Sequence, residues 1–172
     1  MKTPGYIQLY TGNGKGKTTA ALGLALRAAG AGKKVLIAQF VKGMHYSELD
    51  ALKRFPKIEI RQYGLGCFIV NQPTEDDIKA AVRGLEEVTE IITGNHADIV
   101  ILDEVCIALY YNLFPLERVV SLIQGKPKEM EVILTGRYAP DVLIELADLV
   151  TEMKEVKHYY TRGIEARKGI EF

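Results

Sequence analysis

The chain has 172 residues, and its 22 lysines and arginines balance 22 aspartates and glutamates, which argues against an extended nucleic-acid-binding surface. No apolar run reaches the roughly 18 residues of a membrane span, and no basic-then-apolar secretion signal opens the chain. The two cysteines, Cys67 and Cys106, are too few for a disulfide framework, so these properties predict one cytoplasmic domain over residues 1–172, without nucleic-acid or membrane partners.

Strand and helix patterns alternate from the beginning of the chain. Residues 6–10 form a short strand pattern, and a glycine-rich segment separates them from a strong helix pattern at residues 18–31. Residues 34–40 are mostly apolar, as expected of a strand that is buried on both faces. A short helix is expected at residues 47–55, and the alternation over residues 58–63 predicts a strand with one wetter face.

The second half of the chain continues this alternation. After a loop at residues 64–72, Pro73 and a run of acidic residues open a long helix that extends to about Thr93. Residues 98–102 are the clearest buried strand. The remaining patterns are a helix at residues 116–124, a strand at 130–135, a helix at 140–147 and a last strand at 148–153.

Six strands separated by helical segments predict right-handed βαβ crossovers and a mainly parallel sheet with helices on both faces. With the glycine-rich segment, this pattern predicts an α/β fold in three layers, a sheet between two layers of helices (αβα). The predicted fold is of the P-loop NTPase type and similar to RecA. Ligands of such sheets bind beyond the carboxyl ends of the strands. Four loops begin there and are expected to converge: residues 11–19, 41–45, 64–72 and 103–104.

The segment at residues 11–19, T-G-N-G-K-G-K-T-T, is typical of a phosphate-binding loop. Its glycines allow backbone N–H groups to surround a polyanion, Lys17 adds a cation, and Thr18 places a hydroxyl at the usual Mg²⁺ position. The helix that follows contributes its free N–H groups and its macrodipole. Thr11 stands where the common pattern has its first glycine.

Two acidic residues and two arginines are further candidates. Asp103 and Glu104 directly follow a buried strand, as in a Walker B end, where a carboxylate supports Mg²⁺ directly or through water; alternatively, they cap the next segment. Arg137 ends the next strand and suits phosphate oxygens, or else it is a surface arginine after a turn. Arg27 lies on an apolar helix, where a buried or half-buried cation needs an acid or a phosphate as its partner.

The motifs taken together resemble those of one family. The chain contains, in order, T-G-N-G-K-G-K-T-T-A-A, F-V-K-G, G-L-G-C-F, L-D-E, T-G-R-Y-A-P, A-D-L-V-T-E-M and V-K-H-Y-Y-T-R-G-I-E-A-R-K-G-I-E-F. This set, which covers essentially the whole chain, resembles the P-loop ATP:corrinoid adenosyltransferases. The resemblance implies transfer of the 5′-deoxyadenosyl group of ATP to the Co(I) of a reduced corrinoid (cobalamin, cobinamide or an a,c-diamide), with triphosphate as the leaving group.

The resemblance also implies roles for individual residues. The implied catalytic residues are Lys17 and Arg137, which stabilise the leaving triphosphate, and Glu104, which supports the metal. The implied ATP-binding residues are Gly12, Asn13, Gly14, Lys15, Gly16, Lys17, Thr18, Thr19, Arg27 and Arg137. The implied ligands of Mg²⁺ or Mn²⁺ are Thr18, Asp103 and Glu104. The family further implies a homodimer and a reducing flavoprotein as a partner.

The corrinoid side of the resemblance lies in the third loop. The implied corrinoid-binding residues are Gly64, Gly66, Cys67, Phe68 and Ile69. Many family members read G-x-G-F-T-W here, and their aromatic residues are thought to displace the lower ligand of cobalt. This chain has Cys67 and Ile69 at the aromatic positions, which leaves either Phe68 or the aliphatic Ile69 for that role. Cys67 is either a soft cobalt ligand or an ordinary loop cysteine.

Two other functions explain part of the pattern. A generic P-loop phosphotransferase or ATPase accounts for the loop, the acidic pair and Arg137, and it would release ADP. A non-enzymatic module would bind ATP and a corrinoid without forming a cobalt–carbon bond. The guanine-specific motif N-K-x-D is absent from the sequence, which argues against a GTPase.

Overall fold

The computed structural model describes residues 3–66, 69 and 72–172. The strands are β1 (Ile7–Thr11), β2 (Val35–Phe40), β3 (Ile58–Tyr63), β4 (Ile99–Asp103), β5 (Glu131–Thr135) and β6 (Leu149–Glu152). The helices are α1 (Lys17–Gly30), α2 (Ser47–Leu52), α3 (Glu75–Thr93), α4 (Val105–Tyr110), α5 (Leu116–Gln124) and α6 (Asp141–Leu146), followed by a 3-10 turn (Tyr159–Arg162). Within the described part of the chain, no helix is both long and apolar enough to span a bilayer.

The six strands form one sheet in the order β3-β2-β4-β5-β1-β6, and every neighbouring pair is parallel. Because parallel neighbours need crossover connections, the chain leaves β1 through α1 and returns to the sheet at β2, beyond β5 and β4. The carboxyl ends of all strands therefore lie at one edge. This arrangement confirms the predicted α/β sheet of six parallel strands.

Helices cover both faces of the sheet. Along β2, Leu36 and Phe40 enter the core that contains α3, α4 and α5, whereas Val35 and Ile37 pack on the face that α1 covers. The residues that α1 buries against this second face are all alanines, so the helix can approach the strands closely. Burial on both faces explains why the strands are nearly continuous apolar runs. The predicted three layers are confirmed.

The predicted boundaries differ from those of the structure by no more than three residues at any predicted element. The helix α4 was not predicted. Its six residues, V-C-I-A-L-Y, are apolar on all sides, and such a short apolar run has no periodicity that separates a buried helix from a strand. Packing of α4 against β2 and β5 decides its conformation.

The tail, defined here as residues 154–172, returns to the phosphate loop. The Lys15 ammonium donates to Glu171 Oε1 at 2.6 Å and to the carbonyl oxygen of Ile170 at 2.7 Å. The hydroxyl of Tyr159 also donates to the Glu171 carboxylate. Hydrogen bonds from Lys15 and Tyr159 lower the pKa of Glu171 to about 2. The tail is therefore fastened to a lysine of the loop.

Alanine is expected to have opposite effects at two helical glycines. A Cβ at Gly84 of α3 would lie 2.3 Å from the ring of buried Tyr63, whereas a Cβ at Gly23 of α1 would meet no described atom within 4 Å apart from its chain neighbours and the backbone of its own helix. Because alanine is the better helix former, Gly23→Ala should raise the free energy of unfolding by roughly 0.5–1 kcal/mol. Gly84→Ala should lower it by about 1–3 kcal/mol because Tyr63 must move. Urea unfolding measures both, and stabilisation by Gly84→Ala would contradict this packing.

Removal of the Glu171 charge is expected to loosen the tail. Glu171→Gln keeps the size of the side chain but removes its ion pairs with Lys15 and Arg167, so trypsin should cleave native protein after Arg162 or Arg167 several-fold faster. Glu165→Gln is the matched control, since Glu165 is exposed and makes no hydrogen bond or ion pair with the described residues. Mass spectrometry of the fragments over time measures both rates, and equal rates would show that the ion pairs of Glu171 do not hold the tail in place.

Candidate functional site

The phosphate loop connects β1 to α1 and packs against the end of β6. The Gly14 N–H donates to the carbonyl oxygen of Met153 at 2.6 Å, and the Met153 N–H donates to the Thr11 carbonyl oxygen at 2.8 Å. Gly12 has a φ of 92°, and a Cβ there would lie 2.6 Å from the same Met153 oxygen. Only glycine combines this backbone conformation with so close an approach.

Lys17 is the first residue of α1, and only 7% of it is exposed. Its ammonium donates to the carbonyl oxygens of Gly12 and Gly14 at 2.7 and 2.8 Å. Burial lowers the pKa of Lys17, against the opposing effect of the Glu104 carboxylate. Because phosphate oxygens form stronger hydrogen bonds with ammonium than neutral carbonyls do, Lys17 is well placed to exchange these partners for an anion in the loop.

The carboxylate of Asp103, at the end of β4, is buried and accepts four hydrogen bonds. Its Oδ1 accepts from the hydroxyls of Thr18 at 2.9 Å and Thr135 at 2.8 Å. Its Oδ2 accepts from the ammonium of Lys42 at 2.7 Å and the amide of Gln39 at 3.2 Å. Although burial opposes ionisation, Lys42 and the two hydroxyls hold the pKa of Asp103 below its ordinary value. A carboxylate has about four acceptor positions, so protein groups use all of those of Asp103.

Glu104 follows directly but has different surroundings. Its φ of 59° is left-handed, and its backbone N–H donates to the Thr135 hydroxyl at 2.9 Å. Its carboxylate makes no hydrogen bond or ion pair with any residue that the structure describes. Burial, together with the neighbouring Asp103 carboxylate, raises the pKa of Glu104. A partly buried carboxylate without a donor is suited to hold a divalent cation.

A cavity of about 330 Å³ opens beyond the ends of β2, β4 and β5. Its walls come from the loops after β2, β3 and β5 and from α4 with its two flanking residues: Val41, Lys42, Ile69, Glu104, Ile107, Tyr111, Arg137 and Tyr138. Val41, Glu104 and Tyr138 all have left-handed φ angles, between 58° and 60°. Such strain in residues with a Cβ is concentrated at functional sites.

A larger groove of about 770 Å³ lies at the opposite end of the strands, beside β2, β3 and α3. Lys34, Glu59 and His96 are among its lining residues, and none of the predicted site residues is. The carboxyl-terminal edge, where the loop and the acidic residues meet, is therefore the candidate functional site.

The described residues of the predicted loops lie at this edge of the sheet. The Gly43 N–H donates to the carbonyl oxygen of Gly66 at 2.7 Å, which joins the second loop to the third. Ile69 lines the cavity. Cys67 and Phe68 lie outside the described residues, so their predicted role stays a prediction.

The sequence predicted that Arg27 would be a buried or half-buried cation, and this prediction is wrong. The residue is exposed and makes no hydrogen bond or ion pair with the described residues. The reason is the narrow contact of α1, in which Ala21, Ala25 and Ala28 form the stripe that faces the sheet. Arg27 lies beside this stripe. The apolar residues around Arg27 in the sequence do not reveal which face of α1 packs against the sheet.

Sequence reasoning did not identify three partners of Asp103, namely Gln39, Lys42 and Thr135. A signal existed for the first, because Gln39 is a polar residue in an otherwise apolar buried strand, and the strand register places it opposite Asp103. Thr135 is the last residue of β5, and the pairing of β5 with β4 brings it to Asp103. Lys42 reaches Asp103 from the loop after β2, and no local pattern specifies either contact.

The oxygen atoms at this edge suit a magnesium ion. Thr18 contributes a hydroxyl, Glu104 a carboxylate without donors, and Asp103 a carboxylate that orients Thr18. In the described ranges, no group of three or more His, Cys, Asp or Glu residues could hold a metal on its own. Magnesium commonly takes one or two protein oxygens and completes its octahedron with water and phosphate, so the residues present fit it.

The matching family model is that of the ATP:corrinoid adenosyltransferase BtuR/CobO/CobP and covers residues 3–172. The corrinoid adenosyltransferases of Pseudomonas aeruginosa and Escherichia coli are each 38% identical to this chain, over 98% of it and 84% and 86% of their own lengths. The corrinoid adenosyltransferase CobA of Salmonella typhimurium is 36% identical, over 98% of this chain and 86% of its own. A KaiC-like protein from Pyrococcus horikoshii shares the fold, with a TM-score of 0.57 and 15% identity over 91% of this chain and 76% of that one. The chain belongs to the P-loop ATP:corrinoid adenosyltransferase family.

Proposed function

We propose that the protein transfers the 5′-deoxyadenosyl group of ATP to the Co(I) of a reduced corrinoid and releases triphosphate. The acceptor is a cobalamin, a cobinamide or an a,c-diamide. One observation carries the proposal: the phosphate loop, Glu104 and Arg137 meet at one sheet edge in a chain that matches this family over residues 3–172. Among the described residues, none donates a hydrogen bond to the Glu104 carboxylate.

The reaction requires a firm hold on the departing triphosphate. An electron pair of cobalt forms the bond to C5′ while the C5′–O bond breaks, and the electron pair of that bond leaves with the triphosphate. Lys17, the N–H groups of the loop and Arg137 stabilise the charge that gathers on this leaving group. No proton has to be removed from a Co(I) nucleophile, and no histidine is among the described residues that line the cavity.

We propose that Mg²⁺ or Mn²⁺ binds together with ATP. Thr18 and Glu104 would supply protein oxygens, while Asp103 would orient the Thr18 hydroxyl and support the metal through water. When bound, the metal neutralises charge on the phosphate oxygens. The other proposed ATP contacts come from exposed side chains on the loop and α1: Asn13, Lys15, Thr19 and Arg27.

The family resemblance supports further proposals. We expect one domain over residues 1–172, because β1 pairs with two strands from the second half of the chain. We also propose a homodimer in the cytoplasm and a flavoprotein that reduces the corrinoid. Gly64, Gly66, Cys67, Phe68 and Ile69 form the proposed corrinoid loop.

The direct test combines the protein with ATP and a chemically reduced corrinoid under anaerobic conditions. We expect the visible spectrum to change to that of the light-sensitive adenosylated corrinoid, with intact triphosphate as the second product in ³¹P NMR. ADP and phosphate would support a phosphotransferase or ATPase instead. Binding of both ligands without a spectral change would support a non-enzymatic module.

Lys17→Ala is expected to remove most of the stabilisation of the leaving group. The loss of one well-placed electrostatic donor commonly costs about 10²–10³ in rate, and ATP binding should weaken as well. Lys33→Ala is the matched control, since Lys33 is an exposed lysine beyond the end of α1. Rates follow from the spectral assay and affinities from calorimetry. Activity near that of the control would mean that the loop does not hold the triphosphate.

Phe68→Ala is expected to slow adenosylation and to leave ATP affinity unchanged, because the third loop is proposed to contact the corrinoid. Phe55→Ala is the control, since Phe55 is an exposed phenylalanine after α2. The measurements are ATP titration by calorimetry and the KM for the corrinoid. An equal loss of ATP affinity would place the loop at the nucleotide instead.

A further inference from the structure

Lys42 is a charged residue at the site to which the proposed reaction assigns no role. Its side chain is 12% exposed, and its ammonium lies 2.7 Å from Asp103 Oδ2 and 3.1 Å from Thr18 Oγ1. It also lies over the ring of Tyr46, 5.5 Å from the centroid. The ammonium thus contacts the same hydroxyl and the same carboxylate that are proposed to support the magnesium.

The backbone that carries Lys42 is held in an unusual conformation. Val41 has a φ of 60°, which is an outlier for a β-branched residue. The hydrogen bond from the Gly43 N–H to the Gly66 carbonyl oxygen fixes the next turn. Strain of this kind persists only where the surroundings determine it. The placement of the Lys42 ammonium on Asp103 is therefore a specific feature of the fold.

The hydrogen bonds of Asp103 leave one exchangeable position. Both acceptor positions of Oδ1 are used by the hydroxyls of Thr18 and Thr135, which are fixed on α1 and β5. On Oδ2, one donor is Gln39 of the buried strand β2, and the other is Lys42, whose side chain is long and comes from a loop. A metal ion or its water can therefore approach Asp103 only by replacing Lys42.

The charges at Asp103 also indicate that a metal ion would replace Lys42. The Asp103 carboxylate is buried and needs a counter-ion, and among the described residues Lys42 is its one ion-pair partner. A divalent cation on Thr18 would satisfy that need and would repel the ammonium. The flexible lysine would then turn toward the cavity that it already lines, where Glu104 and Arg137 lie.

We propose that Lys42 is a further nucleotide-site cation that competes with magnesium for Thr18 and Asp103 and binds a phosphate oxygen of ATP when magnesium is scarce. This inference rests on the proposed function, since it takes the phosphate loop to hold the triphosphate of ATP. Lys42 is a positioning residue for Thr18 and Asp103 and a direct ligand of the phosphate.

The test is ATP binding measured by calorimetry in EDTA and at increasing magnesium concentration. In Lys42→Gln the amide can still donate to Asp103, but the positive charge is gone. We expect metal-free ATP affinity to fall roughly tenfold and the half-saturating magnesium concentration to fall by a similar factor, as for the loss of one unit charge a few ångströms away. Lys33→Gln controls for net charge, and Lys42→Arg should keep both values within about threefold of wild type.

A second measurement uses no nucleotide. If magnesium and Lys42 are alternative counter-ions of Asp103, magnesium alone should raise the melting temperature of Lys42→Gln by several degrees more than that of wild type. A variant that is unfolded in EDTA should regain its fold in magnesium. A variant that stays unfolded in magnesium, or that melts like Lys33→Gln in both buffers, would overturn the proposal.

Failure of the proposed function and failure of the proposed role of Lys42 would give different results. Wild-type protein that binds no ATP, or that forms no adenosylated corrinoid, would overturn the proposed function. If the wild-type protein binds ATP and is active, but Lys42→Gln needs as much magnesium as wild type or more, only the role of Lys42 would be overturned.

Discussion

The buried carboxylate of Asp103 is the interaction on which the site depends. It joins β4 to α1 through Thr18, to β5 through Thr135, to β2 through Gln39 and to the loop after β2 through Lys42. Each of these donors comes from a different element. Loss of the carboxylate would leave buried donors without an acceptor, at a cost of about 1–3 kcal/mol for each group. The start of α1, and with it the phosphate loop, is thereby held at the edge of the sheet.

A second set of contacts holds the loop from the opposite side. Met153 continues β6 against Gly12 and Gly14, and Glu171 fastens the tail to Lys15. These contacts give a physical reason why the loop occurs together with the distant motifs A-D-L-V-T-E-M and G-I-E-F. The distant motifs are packing partners of the loop. A loop held on both sides in this way is suited to bind a whole triphosphate as one leaving group.

The strands and the longer helices could be predicted because each has a local cause. Burial on both faces requires apolar runs, and an acidic first turn stabilises the start of α3. The helix α4 could not be predicted because its residues are apolar on all sides. The exposure of Arg27 could not be predicted either, since the alanine stripe of α1 becomes evident only against the sheet.

The sequence by itself determined the phosphate loop, the alternation of strands and helices, and the acidic pair after β4, because each is a property of consecutive residues. Only the tertiary structure separated the roles of that pair. Asp103 is saturated by four donors, whereas the carboxylate of Glu104 has none among the described residues. It also placed Lys42 on Thr18, 24 residues away, and Glu171 on Lys15, 156 residues away. Such partners are set by strand order and chain reversal, which no local spacing encodes.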